Sequence, residues 1–178
     1  MRRSGERRFL AKSVLPASWA TGSSREAEPV TTPETASARA LSGKCLCGAV
    51  RYAVADEFLY AANCHCSNCR RATGSAFKPF AGIARDKLSI AKGEDNLLIF
   101  GDESSAHDVH CKTCGSLLYS VVRDGAYVHV AMGTLVDDPT IRPTSHIFVG
   151  SKARWHTIAD GLPQYEAHAP PNVSPGNE

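Results

Sequence analysis

Long apolar runs are missing from this 178-residue chain. Its longest apolar pieces, such as Leu97-Leu98-Ile99-Phe100, are strand-sized, whereas a membrane-crossing helix needs roughly 18 or more consecutive apolar residues. A charge imbalance is missing too. Twenty Lys and Arg against 18 Asp and Glu leave a formal net charge of +2, so electrostatics give no case for nucleic acid or a membrane surface as partner. No apolar stretch follows the N-terminal arginines, so a secretory signal is not expected. No Ser/His/Asp set, phosphate loop or carboxylate pair stands out, and nothing repeats except paired cysteines.

Those cysteines are what the chain does have. Seven is a high number, and its odd parity argues against a closed disulfide framework. Reduced thiols holding metal in a reducing, cytoplasmic setting is the simpler expectation. The seven fall into three groups: Cys45 with Cys47, the stretch Cys64-His65-Cys66-Ser67-Asn68-Cys69, and Cys111 with Cys114. On an extended backbone Cys64 and Cys66 point to one face, and a tight turn brings Cys69 to the same metal. Three thiolates make three corners of a zinc tetrahedron, and an open fourth corner distinguishes a catalytic zinc from a structural one. The two remaining pairs make a closed four-cysteine site, so seven divides as four plus three and the expected content is two zinc ions per chain. Two alternatives stand beside this. A histidine (His65, His107, His110 or His129) could fill the fourth corner, making both sites structural. The chain could also be a non-enzymatic zinc module that binds a protein partner.

Around the cysteines, short β-rich segments recur with turn signals between them. Ala49–Val54, Phe58–Asn63, Phe77–Ile83, Leu88–Ile90, Leu97–Phe100, Leu117–Val122, Tyr127–Met132 and Ile147–Val149 read as strands. Pro79 should confine its strand to a sheet edge or a bulge. Arg123-Asp124-Gly125 marks a hairpin, and Arg70–Gly74 a polar or short helical turn. The pattern predicts a mainly β domain over residues 41–168. Residues 1–40, rich in Arg, Ser and Thr, are expected to be a poorly ordered extension; their composition also loosely resembles an organelle transit peptide. Residues 169–178 are expected to be a tail.

If the three-cysteine corner is open, its charge narrows the chemistry. Zinc with three thiolates carries a net charge of about −1, because coordinated thiols are deprotonated. Such a centre is a weaker Lewis acid than one held by neutral imidazoles, so it suits binding an incoming thiol as thiolate better than activating water.

Four motifs in order carry a family resemblance: Gly43-Lys44-Cys45-Leu46-Cys47-Gly48-Ala49-Val50-Arg51-Tyr52; Cys64-His65-Cys66-Ser67-Asn68-Cys69-Arg70; Cys111-Lys112-Thr113-Cys114-Gly115-Ser116; and His146–His156 followed by Asp160-Gly161-Leu162-Pro163. The chain resembles the glutathione-dependent formaldehyde-activating enzymes, a family that includes centromere-protein-V-like proteins. The resemblance implies an Mss4-like fold of small antiparallel sheets stapled by zinc. It implies a structural zinc on Cys45, Cys47, Cys111 and Cys114, and a catalytic one on Cys64, Cys66 and Cys69. The implied activity is of the carbon–sulfur lyase type, with glutathione and an aldehyde, formaldehyde, as small-molecule partners. Two departures bear on the pocket wall: His110 stands where the family usually has an aromatic, and Val136 is an extra residue before Asp137-Asp138-Pro139. A glutathione site needs cations for two carboxylates; Arg70, Arg71, Lys152, Arg154 and His156 are the candidates in or beside the motifs.

Overall fold

The computed structural model describes residues 39–170, and the expectations for residues 1–38 and 171–178 lie outside them. Strands β1 (Ala40–Lys44), β2 (Arg51–Ala55) and β3 (Tyr60–Cys64) lead into a short helix, α1 (Ser67–Thr73). Then follow β4 (Lys78–Ala84), β5 (Leu88–Lys92), β6 (Leu97–Gly101), β7 (His107–Cys111), β8 (Leu117–Val122), β9 (Tyr127–Ala131) and β10 (His146–Ile147). They form a three-stranded sheet, β1-β2-β5, and a seven-stranded sheet, β10-β3-β4-β9-β8-β7-β6. All pairs are antiparallel except β10 with β3.

Alternation along the strands gives the large sheet two different faces. One face carries Ile83, Val109, Leu118, Val121, Val128 and Val130, which pack with Leu41, Val50, Tyr52 and Val54 of the small sheet into the main core. The other face carries a separate cluster of Ala62, Cys64, Phe80 and Ile147, with Tyr60, Cys66, Cys69 and Phe148 against it. That second face carries the three-cysteine cluster.

Two glycines let tyrosine rings lie flat across neighbouring strands. Gly43 is paired with Tyr52 and Gly82 with Tyr60, and in each case a β-carbon on the glycine would collide with the tyrosine ring. Tyr52 then reaches Thr134 Oγ1 through its hydroxyl at 2.7 Å, and Tyr60 reaches His129 Nε2 at 2.8 Å.

Pro79 does not mark an edge. It lies in β4, the third strand of seven. It is tolerated because neither neighbour needs its missing N–H. Its β3 partner Asn63 donates its own N–H to Ser145 on the β10 side, and β9 ends at Ala131, opposite Phe80. The β1 strand was not expected. The last strand is shorter than Ile147–Val149: Phe148 takes a left-handed backbone and a 3₁₀ turn follows over Val149–Ser151. The Asp-Gly hairpin stands as expected, with Arg123, Asp124 and Gly125 all at positive φ between β8 and β9.

Gly43→Ala is expected to destabilise the protein by roughly 1–3 kcal/mol, the usual cost of overpacking a filled site. The denaturant midpoint of the variant against the native chain measures it.

Candidate metal centres and the cavity beside them

The two outer cysteine pairs converge at the end of β1 and the end of β7. Each pair sits on a tight knuckle. In the first, Gly48 takes a left-handed φ of 74° and its N–H bonds to the Cys45 carbonyl at 3.1 Å. In the second, Gly115, also at 74°, bonds to the Cys111 carbonyl at 2.8 Å. Glycine reaches this backbone region without strain. Ser116 links the knuckles, its hydroxyl accepting from Leu46 N–H at 3.1 Å. Donors face the sulfurs: Val50 N–H to Cys45 Sγ at 3.3 Å and Asn96 Nδ2–H to Cys111 Sγ at 3.4 Å. All four sulfurs lie within 4.8 Å of one another. Sulfurs at the corners of a tetrahedron with zinc–sulfur bonds of about 2.3 Å are separated by about 3.8 Å. Cys45 to Cys47 is 3.6 Å and Cys47 to Cys111 is 3.8 Å, so the donor set fits a tetrahedral ion.

The second cluster is built by the end of β3 and the start of α1. Cys64 ends β3, and the extended backbone carries Cys66 to the same side. Cys66 is then the N-cap of α1, its sulfur accepting from Cys69 N–H at 3.3 Å. One helical turn brings Cys69 back onto the pair, and the three sulfurs lie within 4.8 Å of one another. The turn that the Cys-x-x-Cys spacing needs is therefore helical. Gly74, left-handed at 60°, ends α1 by bonding to the Arg70 carbonyl. The cluster groups three sulfurs and no histidine. The hydrogen bond between Cys64 and Cys69 sets them apart: it holds the Cys64 thiol below its ordinary value and pushes that of Cys69 up, with burial adding to the rise. Three sulfurs this close do not ionise together without a cation among them.

His65, between the ligand positions, points the other way and is fully buried. Its Nε2 meets His146 Nδ1 at 2.7 Å, and His146 Nε2 meets both Asp160 oxygens at 3.0 Å. A carboxylate only accepts, so Asp160 fixes the proton on His146 Nε2. In neutral His146 the Nδ1 then accepts, and His65 Nε2 donates. Burial, then the His146 charge, push His65 down to about 4. This relay joins residues 81 positions apart. The motifs contain all three residues, and nothing in their spacing announces the contact.

In front of the cluster, the free face of the large sheet lines a cavity of about 1290 Å³. Cys64, Cys66 and Cys69 sit on its wall with Arg71, Lys78, Phe80, Arg123 and His129. Of the substrate candidates named from the sequence, only Arg71 lines it. Arg70 donates to the Ser151 carbonyl at 3.2 Å, Lys152 to the His156 carbonyl at 2.6 Å, and His156 stacks on His65. Arg154 does not line it either. Of the two departures, His110 does line the cavity and bonds the Gly115 carbonyl at 3.1 Å. Val136 instead runs beside β1, its N–H on the Ser42 carbonyl, away from the cavity. His129, half-buried and bonded to Tyr60, is held down to about 3, first by loss of solvent and then by Lys78.

Fold and site together define a mainly β protein of two sheets with two cysteine clusters, each able to hold a metal ion. The chain belongs to the glutathione-dependent formaldehyde-activating enzyme family, whose sequence model matches residues 40–151, and whose fold is Mss4-like. It is 32% identical over 83 residues to a protein of Schizosaccharomyces pombe named as an uncharacterized lyase; the match takes in 47% of this chain and 58% of that relative. It is also similar to a crystal structure of a Rhodobacter sphaeroides protein, at 28% identity and a TM-score of 0.46, over 58% of this chain and 92% of that one. No helix among the described residues is long and apolar enough to cross a membrane.

Metal analysis of the purified protein should give two divalent ions per chain. Cys64→Ser should lower this to one with little loss of stability, and Cys111→Ser should lower the unfolding free energy by several kcal/mol. Equal stability losses in the two variants would abolish the distinction between the clusters.

Proposed function

We propose that residues 41–168 form an enzyme that combines glutathione and formaldehyde into S-hydroxymethylglutathione, a carbon–sulfur lyase in the reverse direction. On this reading Cys45, Cys47, Cys111 and Cys114 hold a structural zinc, and Cys64, Cys66 and Cys69 hold a second zinc at the reaction site. The observation that carries the reading is the asymmetry of the clusters. Four sulfurs close one of them, and three sulfurs on the wall of a cavity leave the other a corner short. A bound zinc would supply Lewis acidity that favours the thiolate form of an incoming thiol.

The chain's own residues set up the rest. Cys66 caps α1 and so fixes the turn that presents Cys69. His65 and His146 seal the back of the cluster without adding a ligand. The cavity is lined by three cations, Arg71, Lys78 and Arg123, and one acid, Asp108, which suits an anionic thiol. In the reaction the thiol sulfur bonds to the formaldehyde carbon. The carbonyl π pair passes to oxygen, and that oxygen takes up the proton the thiol gives up. Atoms and charge balance without an oxidant or reductant. A reducing compartment supplies the glutathione and keeps all seven cysteines free.

Purified protein should accelerate adduct formation from glutathione and formaldehyde above the spontaneous rate, followed by ¹³C NMR of the hydroxymethyl carbon. Cys66→Ser should lower that acceleration by roughly 100-fold or more while keeping the helix, since serine is itself a good N-cap. A native protein with full metal content and no acceleration would remove the formaldehyde assignment.

A further inference from the structure

Lys78 is unexpected where it lies. It is only 5% exposed on the cavity face of the large sheet. A buried ammonium is costly unless it is paired, yet no carboxylate touches it. Its Nζ donates to Ser120 Oγ at 2.8 Å, and Ser120 in turn donates to Asp108 Oδ1. The lysine is therefore held in place by an oriented hydroxyl, with its charge only indirectly matched. Lysine has three N–H donors, and Ser120 takes one. The Phe80 ring lies 5.9 Å below the ammonium, which favours a cation there and accepts no further hydrogen bond of ordinary strength. Two donors remain for whatever enters the cavity.

The sheet order sets how far that point is from the cysteines. Lys78 is the register partner of Cys64, so its stem begins beside the cluster. Its tip ends at Ser120 on β8, and the order between them is β3-β4-β9-β8. Ser120 is level with Gly82, four residues along β4, so the lysine leans away from Cys64 by its full reach of about 6 Å, on top of a cross-strand pair spacing of about 5 Å. A group held at the lysine tip is thus on the order of 10 Å from the sulfurs. That is too far to touch reacting atoms at the cluster, and it matches the reach from a thiol to the carboxylate end of a small peptide.

We infer that Lys78, positioned by Ser120 and Asp108, binds a carboxylate of the thiol substrate and selects thiols that carry an acid group at that distance. This rests on the proposed reading of the cavity as the substrate site. Lys78 is a specificity residue, so its loss acts on binding and leaves the chemical step intact.

Two measurements on the full-length, metal-loaded protein test it. One is calorimetric binding of S-methylglutathione, which needs no turnover, compared with its diethyl ester. The other is the split between KM and kcat for glutathione with formaldehyde. Lys78→Met should weaken S-methylglutathione roughly 10- to 100-fold, the worth of a hydrogen bond to a charged group. It should raise KM by a similar factor with kcat within about 3-fold, and it should leave the diester unaffected. Lys78→Arg, which keeps the charge, should recover part of the affinity. If Lys78→Met does not fold by circular dichroism, Lys78→Gln carries the same comparison. Native protein that binds S-methylglutathione while the variant binds it equally well would overturn the role of Lys78 and leave the proposed function standing. Native protein that neither binds it nor turns over glutathione would overturn both.

Discussion

Four sulfurs from segments more than sixty residues apart meet within 4.8 Å, and the arrangement of the two sheets hangs on that meeting. Cys45 follows directly on β1 of the small sheet and Cys111 ends β7 of the large one. Between them the sheets enclose the main core, in which valine is the commonest residue. Such a core supplies only part of the stability a domain of this size needs. The knuckles add N–H donors aimed at sulfur and a serine that ties one to the other. A shared cation would turn this convergence from mutual repulsion of thiolates into a staple. The opposite face of the large sheet is then left free of structural duty, and the cavity lies there.

The cysteine grouping was legible because metal ligands obey spacing rules that do not depend on the rest of the fold. Cys-x-Cys and Cys-x-x-Cys are local statements, and the structure realises each locally, on a knuckle or a helical turn. The strands were legible as segments but not as partners. Pro79 shows why: the rule that keeps proline at edges concerns a donor, and here the adjoining strand simply stops one residue short. Strand β1 was missed because Ala40–Lys44 is short and carries a glycine whose value appears only when the Tyr52 ring lies over it.

The cavity was the least legible part. Arg70, Lys152 and His156 sit in or near the motifs, and proximity in sequence to a cysteine is a poor guide to which side of the sheet a side chain takes. Arg70 and Arg71 are adjacent on α1, yet only Arg71 faces the cavity. Lys78 carries no sequence signal, since a lysine in a strand ordinarily reads as the solvent side. Its burial follows from the β3–β4 register, which sets it opposite Cys64.

That register also explains how one stretch serves two environments. Alternation along Cys64-His65-Cys66 sends the outer two side chains to the cavity and the middle one into the interior, so a slip of one residue would exchange them. The slip is prevented from both sides. On one edge β4 fixes Cys64 against Lys78. On the other, His65 N–H bonds to the Ile147 carbonyl at 2.9 Å and its ring bonds to His146, the residue before. The parallel β10, only two residues long, is too short to add much stability as a strand. Its effect is to pin the polarity of the site: a buried imidazole pair behind the sulfurs and a cation-lined cavity in front. The three sulfurs between those surroundings face the side of the cavity that carries Arg71, Lys78 and Arg123, and an anion that enters is drawn to that side.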